Sequence, residues 1–408
     1  MFPDGRTQLD VLVAGAGPAG SATATFLARA GYSVLAVDRA AFPRDKACSE
    51  YMSPEAVRIL SRIGVVEALE SAGAFALDGM KVTGPGGATA HGRFAHAGYQ
   101  PFRATGISVS RRILDNELVA AARAAGALVM ERNYVEELLY DRGSIAGAVV
   151  RNRAGQRHAL RARLTVGADG LRSVVARRMG RRTHGKPRRV AFAAHVAGVQ
   201  GMGSSAELHF GESSYMGLNP IGLGRTNVTI VVPAERAGSS RGRVEQFFSD
   251  TLAEFPGVRE RVEAGEVERP VMATGPFAAR SGRVVASGGL LVGDAADFFD
   301  PFSGDGIYSA LRGAELVAET AVPALSRPGP VTVDRLVGYR RMRRRVFAGK
   351  WVVERLMGYA LHFPRLFDRG VAGLGRHTGM AHTLIGFAGG FVPARVVLNP
   401  VFLARMLL

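Results

Sequence analysis

Very little in this chain of 408 residues can hold it together covalently, because it has a single cysteine, Cys48. An intramolecular disulfide is excluded, and so is a zinc or iron–sulfur centre built from several thiolates. No metal site is expected. Lysine is equally scarce, with four residues (46, 81, 186 and 350), and Trp351 is the only tryptophan. Long apolar runs are missing too. The longest candidate, Thr383 to Ala394, holds three glycines and a proline before Arg395 ends it, short of the roughly 18 residues of a membrane-spanning helix. The first ten residues are polar and do not read as a signal peptide. Retention in the cytoplasm is expected, with peripheral contact at a membrane left open.

What is present describes a globular protein: 47% of residues are apolar and 52 are glycine, a composition unlike that of disordered or fibrous chains. The length suggests roughly two to three domains. Lys and Arg number 52 against 35 Asp and Glu, a formal net charge of +17. Such an excess suggests nucleic acid first and a membrane second. Nearly all of it is arginine in an Ala- and Gly-rich background, which a compositional bias produces without function. Two clusters stand out nonetheless: eight basic residues and no acid between Arg172 and Arg189, and the run from Arg340 to Arg345. No motif asks for DNA or RNA, and no nucleic-acid partner is expected.

The chemistry begins at Asp10. Asp10–Ala14 is a short apolar run of strand type, followed by Gly15-Ala16-Gly17-Pro18-Ala19-Gly20. A helical pattern runs from Ser21 to Ala30, Gly31 breaks it, and Tyr32–Val37 gives a second strand ending at Asp38. This is a β-α-β unit with G-x-G-x-x-G at its first turn. Gly15 permits the tight turn, Gly17 lets a diphosphate approach the backbone, and Gly20 lets helix and strand pack closely. Phosphate charge then rests against the free N–H groups at the positive end of the helix. Asp38, 18 residues beyond Gly20, stands where a carboxylate accepts from ribose hydroxyls.

Three further segments belong with this turn. Leu290–Ala296 contains Gly293-Asp294, and Asp300-Pro301-Phe302-Ser303-Gly304-Asp305-Gly306-Ile307 opens a helical run to about Ala321. In an FAD site such a carboxylate can bind the ribityl hydroxyls, and the glycine-rich helix start can then aim N–H donors at the flavin edge where charge collects on reduction. Val166-Gly167-Ala168-Asp169-Gly170 is another strand leading to an acidic turn, for which a plain turn-capping aspartate is the alternative. Val109–Asp115 opens a helix over 116–125.

In this order and spacing the four motifs resemble the p-hydroxybenzoate hydroxylase-type flavoproteins, most closely their geranylgeranyl reductase-like branch, over roughly residues 8 to 320. The resemblance implies FAD. It places Gly15, Gly17 and Gly20 at the diphosphate, Asp38 at the adenosine ribose and Arg111 near the dinucleotide, with Ala19 and Arg39 also at the cofactor. It places Gly293 and Asp294 at the ribityl chain, with Pro301, Gly304, Gly306 and Ile307 among the further cofactor contacts. Asp169 belongs to a motif associated with FAD and with pyridine nucleotides. Asp297 departs from the branch, which has glycine there. No second G-x-G-x-x-G follows a strand, so NAD(P)H as reductant binds transiently, or electrons come from a redox partner.

The implied fold is α/β: a Rossmann-type FAD-binding domain (1–78 with 103–185 and 280–330), an inserted antiparallel-sheet α+β substrate domain (79–102 with 186–279) and a C-terminal helical region (331–408). The strands expected in the insert are Gly79–Val82, Val190–Val196, Ala206–Phe210 and Thr226–Val232. Lys46-Ala47-Cys48-Ser49-Glu50 resembles the branch's K-x-C-G-E segment, which passes near the flavin, with serine for glycine. Tyr215–Pro220 occupies the place of its Y-x-W-x-F-P box, with Gly217 and Asn219 replacing Trp and Phe. That loss leaves room for a bulkier or more polar substrate. His195 and His209 read as ordinary sheet residues.

The expected activity is oxidoreduction of a hydrophobic small molecule, an isoprenoid, polyketide or related natural product. In a C=C reductase, hydride leaves reduced flavin and a nearby acid supplies the proton; Cys48, Glu50 and Tyr215 are the candidates. A free cysteine is otherwise an inert small hydrophobe. The alternative is an FAD-dependent monooxygenase acting on an aromatic or olefinic carbon. A more distant one is a non-catalytic flavoprotein or membrane-bound lipid carrier, suggested by the apolar tail from Phe387 to Leu407, which can equally pack over the substrate entrance or between subunits.

Overall fold

The computed structural model describes residues 9–408; residues 1–8, part of the polar N-terminus and of the first expected segment, lie outside it. The strand Leu9–Ala14 sits near the middle of an eight-stranded sheet. Val34–Asp38 and Leu128–Glu131 extend it on one side, Arg157–Gly167 and Gly289–Leu291 on the other, all parallel. Val34–Asp38 is buried at all five positions, as a parallel strand covered on both faces must be. One cover is the helices Pro18–Arg29, Arg111–Ala124 and Gly306–Leu325. The other is the antiparallel hairpin Asn133–Asp141/Ser144–Asn152 with the short helix Val174–Met179.

A second sheet has seven strands in the order Glu266–Thr274, Arg189–Ala197, Arg225–Pro233, Tyr215–Gly222, Ser205–Phe210, Gly79–Thr83 and Thr89–Arg93. The expectation of an antiparallel sheet needs one correction: Gly79–Thr83 runs parallel to Ser205–Phe210. It arrives directly from the first half of the chain instead of through a hairpin, so no tight turn dictates its direction. Strand alternation divides the side chains of this sheet. Met216, Leu218, Val228 and Ile230 pack under the helices Val244–Leu252 and Pro256–Glu263. Tyr215, Gly217 and Asn219, with their cross-strand partners Val231, Thr229 and Asn227, border the cavity described below.

The C-terminal residues are helical, as expected, but they are not a loose tail. Helices Pro364–Arg376 and Thr378–Ala388 lie on the edge strand Thr89–Arg93, and Pro400–Leu407 lies on Pro364–Arg376. These contacts are close: a Cβ on Gly92 would fall 2.3 Å from Ile385, and one on Gly373 would fall 2.0 Å from the Met406 carbonyl oxygen.

Candidate active site

The dinucleotide end is assembled around the first turn. Gly15 has φ +97°, and a Cβ there would meet the Ala168 carbonyl oxygen at 2.4 Å. Gly20 does not border the cavity; its role is packing, since a Cβ would lie 1.8 Å from the Gly15 carbonyl oxygen. The helix starts earlier than the sequence pattern suggested, at Pro18, with Gly17 as its N-cap, no side-chain cap and no acid in its first turn. Its first N–H groups are therefore left for a ligand. Asp38 accepts from the backbone N–H groups of Ala16 and Ala40, both at 2.8 Å, and so braces the turn as well as bordering the cavity.

Two guanidinium groups stand over Gly17. Arg111, which is buried, grips Asp115 with both Nε (2.8 Å) and Nη2 (2.9 Å), and Arg44 reaches the same carboxylate at 3.0 Å. Burial would strip Arg111 of its charge, but Asp115 and the Cys48 thiol beside it hold its pKa above the ordinary value. Two cations sharing one carboxylate leave a net positive charge at a helix N-terminus. Arg44 escaped sequence reading because nothing in its loop marks which arginine turns inward.

One continuous cavity of about 540 Å³ joins this turn to the second sheet. Gly15, Gly17, Ala19, Asp38, Arg39 and Arg111 border its dinucleotide end. Asp169, Gly293, Asp294 and Pro301, with Gly304, Gly306 and Ile307 at the start of the helix Gly306–Leu325, border its middle. The Asp169 carboxylate is engaged by its own loop: it accepts from the Ser173 hydroxyl and from the N–H groups of Val174 (2.7 Å) and Val175 (3.3 Å), and burial pushes its pKa up. That geometry is the turn-capping alternative. Lys46, also on the wall, lies within electrostatic reach of Asp294 and has its pKa lowered, by burial first and by Arg111 second.

The three candidate acids differ in what their reactive atoms already do. Cys48 borders the cavity, with the Glu50 N–H 3.4 Å from its sulfur. Tyr215 borders it too, but its hydroxyl donates to Asp300 at 2.5 Å, and Arg189 holds the other Asp300 oxygen at 2.5 Å. Burial first, and then Asp300, keeps this phenol protonated well above its usual range. Glu50 is fully buried at φ +61° and does not border the cavity. Its carboxylate takes the Arg111 N–H (2.8 Å), His195 Nε2 (2.7 Å) and Asn227 Nδ2 (2.8 Å). Its assignment as a proton donor is corrected by this geometry: the carboxylate is taken up by these three donors, and although Arg111 and Asn227 border the cavity, Glu50 itself does not.

Sequence reading missed Asn227, Asp300 and Arg189, which gain their roles only from register and chain crossing. It also treated Gly217 and Asn219 alike, and they differ. Gly217 leaves the wall low, with ordinary space before Leu208. Asn219 turns its amide to the Ser49 carbonyl at 2.8 Å and ties the cysteine loop to the sheet. Asp297, the departure from glycine, pairs at 2.7 Å with Arg343, a buried member of the second basic cluster.

FAD fits the residues present. Arg44 Nε is buried without a hydrogen-bond partner among the described residues, beside an uncapped helix N-terminus and a glycine whose Cβ would fill the space before both guanidinium groups. That donor set suits a diphosphate. The FAD binding domain family model matches residues 8–346. Menaquinone reductase of Mycolicibacterium smegmatis is 31% identical over 375 residues, 89% of this chain and 87% of the relative. Digeranylgeranylglycerophospholipid reductase 1 of Methanococcoides burtonii is 29% identical over 79% of this chain and 76% of its own. The fold is shared by a geranylgeranyl bacteriochlorophyll reductase-like protein of Thermoplasma acidophilum, with TM-score 0.78 and 20% identity over 98% of both chains. The chain belongs to the FAD binding domain family, as an FAD-dependent oxidoreductase of the geranylgeranyl reductase-like type.

Proposed function

We propose that the protein reduces carbon–carbon double bonds in the prenyl chain of an isoprenoid lipid or quinone, using FAD that NAD(P)H reduces. The carrying observation is the single cavity that runs from the diphosphate cradle to a chamber bounded by Met80, Ala206, Leu208 and Phe277, with Cys48 and Tyr215 on its walls. The names of the two reductase relatives support the substrate class. In this reading the turn from Gly15 to Ala19, Arg44 and Arg111 hold the diphosphate, Asp38 and Arg39 the ribose, and Asp294 the ribityl chain. Bound FAD, once reduced, supplies hydride to one olefinic carbon.

The other carbon needs a proton from the chain. The Tyr215 hydroxyl is already engaged as a donor to Asp300, and the Glu50 carboxylate does not border the cavity. Cys48, which borders the cavity, is left as the proton donor, with Arg111 beside it to steady the thiolate left after transfer. Asn219 and Asn227, whose amides donate to the Ser49 and Cys48 carbonyls at 2.8 Å, hold this loop against the sheet. A lipid substrate has to be met at a lipid surface, so the reading includes peripheral contact with a membrane; among the described residues no helix is long and apolar enough to cross one.

The test is anaerobic incubation of the FAD-loaded enzyme with NADPH or NADH and menaquinone or a geranylgeranyl lipid, followed by mass spectrometry. The expected product gains two hydrogen atoms per bond reduced. A Cys48→Ala variant should lose about 10²-fold or more in this step while its flavin is bleached by the nicotinamide at the parent rate. A product that forms only with oxygen present, and carries an added oxygen atom, would replace this reading with the monooxygenase.

A further inference from the structure

The last 78 residues, 331–408, hold 13 Lys and Arg against 3 Asp and Glu, so +10 of the total charge of +17 sits there. Two of the three acids are turned inward: Glu354 is buried beside Lys350 at 3.4 Å, and Asp368 accepts the Gly86 N–H at 2.8 Å. Beyond the exposed Asp334 in its first turn, the outer face of the helix Val333–Ala360 carries charge of one sign only. It is also apolar where a globular surface should not be. Val352, Leu356 and Tyr359, 46%, 50% and 56% exposed, follow one another at helical spacing. Phe363 (61%) and Leu366 (48%) continue the stripe around the corner into the helix Pro364–Arg376.

The inner face of the same helix segment closes the substrate chamber. Met357, Ala360 and Leu361 pack with Tyr215, Phe277, Phe298 and Phe302, most of which border the cavity. One helix thus separates an exposed apolar stripe, flanked by Arg341, Arg344, Arg345 and Arg365, from the place where the lipid substrate is received. Lone exposed apolar residues are common, but a contiguous stripe marks a contact surface. Aromatic and aliphatic side chains beside arginines match a bilayer surface with anionic headgroups.

We propose that the outer face of this helix and its corner at Phe363 dock the enzyme on an anionic membrane and set the chamber against the bilayer that holds its substrate. This rests on the lipid-substrate reading for its purpose, while the docking itself is measured without turnover. The FAD-loaded full chain is floated with vesicles of phosphatidylcholine alone or mixed with an equal part of phosphatidylglycerol. The parent should float with the mixed vesicles and stay behind with the neutral ones, and salt near 1 M should release it, because screening then acts within a few ångströms.

A double variant, Leu356→Asp with Tyr359→Asp, should bind the mixed vesicles about tenfold more weakly or worse, with its flavin spectrum unchanged. It should also reduce vesicle-embedded menaquinone more slowly than the parent. Failure of the parent to float, or equal flotation of the variant, overturns the proposal. So does a parent that is dimeric in solution with a monomeric variant, since a second copy then covers this face. If flotation behaves as expected and no lipid is reduced, the docking stands and the substrate reading falls.

Discussion

At the scale of single residues, the site is governed by how buried charges are shared. Arg111 and Arg44 divide one carboxylate, Arg189 and Tyr215 divide another, and Glu50 is divided among a backbone N–H, an imidazole and an amide. Each carboxylate has both oxygens engaged by donors, which is what makes burial tolerable. Glu207 on the cavity wall follows the same rule. Burial alone would raise its pKa, but hydrogen bonds from His209 and Arg261, with the charge of Arg261, bring it down to about 2. A folded-state value below the unfolded 4.5 means that this stabilisation is complete above pH 4.5 and is lost as pH falls through about 2. Its ceiling is about 3 kcal/mol. Glu207→Gln should flatten the fall in stability across that window, read by urea unfolding at a series of acid pH values; an unchanged slope would count against this account. The division of the carboxylates also marks how far sequence reading reached. Asp38 was legible because its partners lie within one β-α-β unit. Asp300 was not, because Arg189 and Tyr215 reach it from 111 and 85 residues away, and no spacing rule connects them.

At the scale of elements, the first turn of the parallel sheet is set by sterics between glycines more than by hydrogen bonds. Gly20→Ala would place a methyl 1.8 Å from the Gly15 carbonyl oxygen, a backbone atom that cannot step aside, whereas Gly31 in the same unit has φ +87° with nothing within 4 Å. Gly20→Ala should therefore lose FAD on gel filtration. Gly31→Ala should keep it and cost only about 1 kcal/mol, the penalty of a left-handed alanine. Equal FAD retention by both would show that helix and strand need not pack so closely. This unit was readable residue by residue, since strand, turn and helix are local patterns. The second sheet was readable only as a set of strands. Its alternation showed which residues share a face, but the parallel entry of Gly79–Thr83 depends on where the chain leaves the first sheet. The arginine run at 340–345 likewise looked uniform, and only helical phase turns Arg343 inward to Asp297 while Arg341, Arg344 and Arg345 face out.

At the scale of the whole molecule, the C-terminal helices belong to the substrate half and are no appendage. Ile385 lies over Phe94, Leu77 and Met80, and Met406 over Phe367 and Val371, in clusters that continue to the cavity wall. A chain ending after Gly379 would uncover those clusters. It should aggregate or melt well below the parent by light scattering and flavin release, and a truncated protein with the parent's melting temperature would show that the tail is dispensable to the fold.

The interleaving of the chain has a consequence in time. The glycine turn at Gly17 is made early in synthesis, but its opposite wall begins at Gly306, and the strand Gly289–Leu291 that completes the parallel sheet is made only shortly before. At ordinary rates of translation the gap between the two walls is roughly 15–60 s. From the time Arg157–Gly167 is made until Gly289–Leu291 follows, its edge at Thr165–Gly167 lacks the neighbour it pairs with in the finished sheet. The FAD cradle is thus complete only after Gly306, while the C-terminal helices from Val333 onward are still to be made.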